Sequence, residues 1–123
     1  MGRVLVVDDD ADLRGVVRRA LAKLGHEVQD VDDGTAALAL LDAQPFDLVI
    51  TDVYMETVDG MELLARMQQR GHAVPVVVMS GGGFKSQDYV LAMAESIGAV
   101  ATLNKPFSVE ELRATVGPIL TGK

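Results

Sequence analysis

The stretch Val4-Leu5-Val6-Val7-Asp8-Asp9-Asp10 opens on four consecutive apolar residues and closes on three acids. A short valine-rich run without polar alternation is apolar on both faces, as a strand inside a parallel sheet must be. Residues 48–50, 74–79 and 99–103 have the same character, and they are followed by Thr51-Asp52, Ser80-Gly81 and Asn104-Lys105. These runs are the predicted strands β1 (4–7), β3 (48–50), β4 (74–79) and β5 (99–103). Residues 27–31 alternate polar and apolar instead, which predicts a strand β2 with one wet face or at a sheet edge.

Between β1 and β2, Leu13, Val16, Val17, Ala20, Leu21 and Leu24 recur at helical spacing, and Gly25 stands where a C-terminal cap belongs. This is α1. Residues near 35–43, 58–70 and 86–97 predict α2, α3 and α4, with Gly71 and Gly98 closing the last two. The final helix, α5, carries Val109, Leu112, Val116, Ile119 and Leu120 behind a Ser108-x-x-Glu111 capping box.

Strand and helix thus alternate five times, which predicts right-handed βαβ units. The fold class is α/β, a doubly wound, flavodoxin-like, five-stranded parallel sheet with five helices in one domain over 1–123. With β2 at an edge, the winding reverses between β1 and β3 and the order is 2-1-3-4-5. Ligands of such sheets bind at the carboxyl ends of the strands flanking the reversal, so the site is expected just after Val7 and Ile50.

The acids stand there. Asp8 and Asp9 follow β1 and Asp52 follows β3, and carboxylates that close need compensation. A hard divalent cation such as Mg²⁺ supplies it through oxygen ligands. Acids after strands also cap helices, and that is the role expected of Asp10 and Asp12. Asp8, Asp9 and Asp52 arrive on two different strands and are expected to form a metal site. The same rim adds Ser80 with three glycines after β4, and Lys105-Pro106 after β5. Nucleophile, metal, hydroxyl donor and cation are together the parts that phosphoryl transfer requires.

An acidic pair after β1, an Asp after β3, a hydroxyl residue after β4 and Lys-Pro after β5, in that order, resemble the receiver domains of two-component response regulators over about residues 3–120. The resemblance implies that Asp52 is the phosphoacceptor, taking a phosphoryl group from the phosphohistidine of a sensor histidine kinase or histidine phosphotransfer protein, or from a small acyl phosphate. It implies that Asp8, Asp9, Asp52 and the backbone carbonyl of Tyr54 hold Mg²⁺, with Asp8 acting through water. Lys105 and Ser80 would engage phosphoryl oxygens, and the Lys105–Pro106 peptide would be cis. The change would spread from the β4–α4 loop to the α4-β5-α5 surface, where an output protein or a second copy reads it.

The chain also departs from the family pattern. Thr102 occupies the β5 position where an aromatic switch residue is usual, and Glu56 stands where Pro often follows Met55. Tyr54 and Gly82 hold the two positions expected to influence dephosphorylation. The helix at 86–97 includes the apolar run 89–94, which suggests either a partner surface or a tolerant Ala-rich face.

With 49% hydrophobic residues in 123, the chain supports one core. Its net charge of −7 argues against nucleic acid or anionic membrane as a partner. The absence of cysteine excludes disulfide and thiolate chemistry. No apolar run is long enough to span a bilayer and the first residues do not read as a signal peptide, so a cytoplasmic setting is expected. No DNA-binding or enzymatic output segment is expected within residues 1–123. Gly117 to Lys123 mimics part of a phosphate-binding loop but ends a helix. Asp8, Asp10 and Asp12 mimic a calcium loop but lack its Gly and Glu. His26 and His72 are assigned no function. The rival reading is a small Mg²⁺-dependent phosphohydrolase resembling the haloacid dehalogenase superfamily, with Asp8 as nucleophile in an Asp8-x-Asp10 motif.

Overall fold

The computed structural model of the chain describes residues 2–52, 60–80 and 98–121, with only the backbone of Met61, Ser80 and Thr121. Five parallel strands run in the order β2-β1-β3-β4-β5, as the alternation predicts. Their observed spans are Arg3–Val7, Glu27–Val31, Leu48–Asp52, Val76–Ser80 and Ala101–Asn104 for β1 to β5. Helices α1 (Ala11–Lys23), α2 (Gly34–Ala43), α3 (Gly60–Gln69) and α5 (Val109–Thr121) are four of the five expected. The helix predicted at 86–97 lies outside the described residues.

Alternate strand residues feed two cores. Leu5, Val7, Val49, Val76 and Val78 point to the face covered by Ala37 and Leu41 of α2 and Leu63 and Met67 of α3. Val4, Val6, Leu48, Ile50, Val77 and Met79 point to the other face, against Val17 and Leu21 of α1 and Leu112 and Val116 of α5. Covering on both sides is why the central strands read as unbroken apolar runs. β3, in the middle, is buried along its whole length, whereas β2, at the edge, is not buried at any residue.

The strand limits differ from the sequence expectation by two residues at three places, and by one residue at the start of β1 and the ends of β4 and β5. β3 continues through Thr51 and Asp52, because Val7 pairs with Thr51 and Asp52 with Met79. The apolar run ends at Ile50, yet ladder pairing carries the strand on through two polar residues. β4 starts at Val76 rather than 74, since Pro75 has no amide hydrogen for a ladder. β5 starts at Ala101, two residues later than read, after Gly98 with φ of 106°.

Candidate functional site

The site is assembled at the carboxyl ends of β1, β3 and β5. Asp8 directly follows β1 and is completely buried, while Asp52 is the last residue of β3 and only 7% exposed. A buried carboxylate needs partners. One oxygen of Asp8 accepts the Asp10 N–H at 2.9 Å, and the other lies 3.2 Å from the Lys105 ammonium. The same ammonium is 3.3 Å from Asp52 Oδ2. Lys105 therefore bridges carboxylates from two strands, reaching across from the far side of β4.

Asp9 is exposed, and one carboxylate oxygen from each of Asp8, Asp9 and Asp52 can be chosen so that all three lie within 4.8 Å of one another. At formal charges, three carboxylates against one ammonium leave two negative charges among these four side chains. Hard oxygen donors with that imbalance fit a divalent cation such as Mg²⁺. Asp10 is not part of this set. Its side chain caps α1, accepting the N–H groups of Asp12 and Leu13 at 3.0 and 3.2 Å, and Asp12 sits in the first helical turn. Both acids take the capping and dipole roles expected of them.

Ser80 ends β4 in register with Asn104, which brings its backbone to the same rim. Tyr54, Glu56, Gly82 and the apolar run 89–94 lie outside the described residues. The Lys105–Pro106 peptide is cis. Thr102 is half-buried in β5 opposite Val78.

This geometry coincides with a family match. The model of the response regulator receiver domain matches residues 4–117. The chain belongs to the response regulator receiver domains. This receiver domain is 38% identical over 116 residues to the transcriptional regulatory protein FixJ of Bradyrhizobium diazoefficiens, covering 94% of the chain and 55% of FixJ. It is similar in structure to the receiver domain of NtrX from Brucella abortus, with a TM-score of 0.88, 30% identity and coverage of 98% of this chain and 99% of that one. Chemotaxis protein CheY4 of Vibrio cholerae gives a TM-score of 0.85 at 32% identity, covering 97% of this chain and 98% of CheY4. The chain spans about half the length of the curated relatives it matches. Nothing in these matches supports the phosphohydrolase alternative.

Two residues of this receiver domain escaped the sequence reading. Arg14 of α1 donates from Nη1 to the backbone carbonyl of Asp8 at 2.8 Å and from Nε to Asp30 Oδ2 at 2.7 Å. Arg18 donates to the other Asp30 oxygen at 2.8 Å. The available signal was Asp30 on the polar phase of β2, a carboxylate with no assigned role. The two histidines have local structural partners. His26 Nδ1 accepts the Gly2 N–H at 3.1 Å, and His72 Nε2 lies 2.9 Å from Asp42 Oδ1.

Proposed function

We propose that Asp52 is the phosphoacceptor of this receiver domain and that Asp8, Asp9, Asp52 and the carbonyl of Tyr54 hold Mg²⁺ beside it. The observation that carries this reading is the Lys105 ammonium, 3.2 Å from Asp8 and 3.3 Å from Asp52, within a cluster of three carboxylates. A carboxylate oxygen of Asp52 attacks the phosphorus of a kinase phosphohistidine. As the P–O bond forms the P–N bond breaks, and the imidazole leaves with the electron pair and is reprotonated from solvent. Mg²⁺, when bound, supplies neutralisation of the charge on the phosphoryl oxygens.

Lys105 is placed to pair with one phosphoryl oxygen, since a group on Asp52 enters the space its ammonium faces. Ser80, at the end of β4, would donate its hydroxyl to another. Recruiting Ser80 pulls on the β4–α4 loop, and the α4-β5-α5 surface becomes the face read by an output protein or a second copy. The donor is a sensor histidine kinase or histidine phosphotransfer protein, in a cytoplasmic setting. No helix among the described residues is long and apolar enough to cross a membrane. On this reading the domain is a signalling switch that catalyses only its own phosphorylation and dephosphorylation, rather than an enzyme acting on a separate substrate.

The test is incubation with acetyl phosphate in Mg²⁺ or in EDTA, followed by treatment of the modified protein with hydroxylamine. An adduct that forms only with Mg²⁺ and is removed by hydroxylamine is the expected acyl phosphate. A hydroxylamine-stable adduct, or one indifferent to EDTA, would contradict the assignment.

A further inference from the structure

Asp9 poses a positioning problem. Its carboxylate belongs to the cluster of three, yet the residue is exposed. Its direction is therefore set mainly by the peptide that carries it, the one joining the Asp8 carbonyl to the Asp9 amide. Both backbone groups of Asp8 are tethered to β2. The Asp8 N–H donates to the Val31 carbonyl at 3.1 Å, and the Asp8 carbonyl accepts from Arg14 Nη1 at 2.8 Å. Arg14 in turn is held by Asp30, which lies on β2 in register with Val6.

We infer that Arg14, oriented by Asp30, is a positioning residue for the acidic pocket: by pinning the Asp8 carbonyl it fixes the Asp8–Asp9 peptide and the direction in which Asp9 offers its carboxylate. The inference rests on the metal-site reading above. A guanidinium suits this position because its planar fork donates to a carbonyl and a carboxylate at once, which the single ammonium of lysine matches poorly. Both partners are largely shielded, with side-chain exposures of 19% for Arg14 and 17% for Asp30. Arg18 differs. It is 57% exposed, and among the described residues its hydrogen bond goes to Asp30 rather than to the Asp8 carbonyl. Groups that orient ligands from behind typically contribute about 10–100-fold to metal affinity.

The experiment is a Mg²⁺ titration followed by the amide NMR shifts of Asp9 and Asp10, on the parent, Arg14→Lys, Asp30→Glu and Arg18→Lys. None of these substitutions changes the net charge, so a change in affinity reports geometry rather than electrostatics. Arg14→Lys is expected to weaken Mg²⁺ binding by about tenfold, Asp30→Glu by a smaller factor in the same direction, and Arg18→Lys by less than about twofold. In the Arg14→Lys protein, acetyl phosphate labelling at saturating Mg²⁺ should recover most of the parental rate. A merely structural role would instead lower the thermal midpoint while leaving the affinity of the folded protein unchanged. Should Arg14→Lys fail to fold, Asp30→Glu carries the same prediction by displacing the guanidinium. Equal affinity in the parent and both folded variants, or an equal loss in Arg18→Lys, overturns the inference. A parent that binds no Mg²⁺ overturns the metal-site reading itself, and this inference with it.

Discussion

At the scale of single residues, the proposed function makes Lys105 the group whose removal should separate binding from chemistry. Its ammonium faces both buried carboxylates, so it neutralises them and also competes with any cation placed there. Lys105→Met removes that competitor. Mg²⁺ affinity should therefore rise several-fold, while the rate of phosphorylation by acetyl phosphate falls by about 10²-fold, the usual loss when one preorganised charge donor is deleted. Parallel loss of both, read by NMR titration and by labelling rate, would contradict the role given to Lys105. The acids and the lysine were legible in the sequence because each stands within two residues of the end of a short apolar run. Arg14 was not, because its importance depends on Asp30 standing beside it, and that pairing comes from the β1–β2 register rather than from any spacing along the chain.

The elements owe their limits to short-range chemistry, and here the sequence was most readable. Gly25 ends α1 with φ of 94°, donating to Ala22 while His26 donates to Leu21. Gly71 closes α3 in the same way with φ of 77°, donating to Gln68 while His72 donates to Met67. The expected capping box of α5 is present: Glu111 N–H donates to Ser108 Oγ at 3.0 Å and Ser108 N–H to Glu111 Oε1 at 2.9 Å. Ser108→Ala should cost about 1 kcal/mol in urea denaturation and Ser108→Gly only a few tenths. A Ser108→Ala protein as stable as the parent would show that the capping hydroxyl contributes nothing. The start of β4 was misread because hydrophobicity extends back over Val74 and Pro75, while pairing requires an amide that Pro75 lacks.

The turn into β2 carries a pH dependence. Burial, and secondarily the positive chain terminus, hold the pKa of His26 below its ordinary value of 6.5. The folded state then binds fewer protons than the unfolded one, so this contribution is complete above about pH 6.5 and is lost as pH falls through the lowered folded value. Protonation of Nδ1 also removes the acceptor for Gly2 N–H. Between about pH 7.5 and about pH 5.5 the parent should lose more stability than His26→Gln, measured as urea midpoints. Identical losses in the two proteins would refute this.

For the whole molecule, the decisive feature is that the winding of the sheet reverses between β1 and β3, where Asp8 and Asp52 emerge side by side. Topology and site location both followed from the alternation of apolar runs with helical periods, since a fully covered parallel sheet leaves few other solutions. The central claim is that Asp52 accepts the phosphoryl group and that Asp8 serves the metal. The most direct test is intact mass after incubation with acetyl phosphate, with and without Mg²⁺, on the parent, Asp52→Asn and Asp8→Asn proteins. The account predicts one added phosphoryl group on the parent that requires Mg²⁺ and is absent from Asp52→Asn. An adduct that persists in Asp52→Asn, or steady phosphate release that survives Asp52→Asn and is abolished in Asp8→Asn, would contradict it.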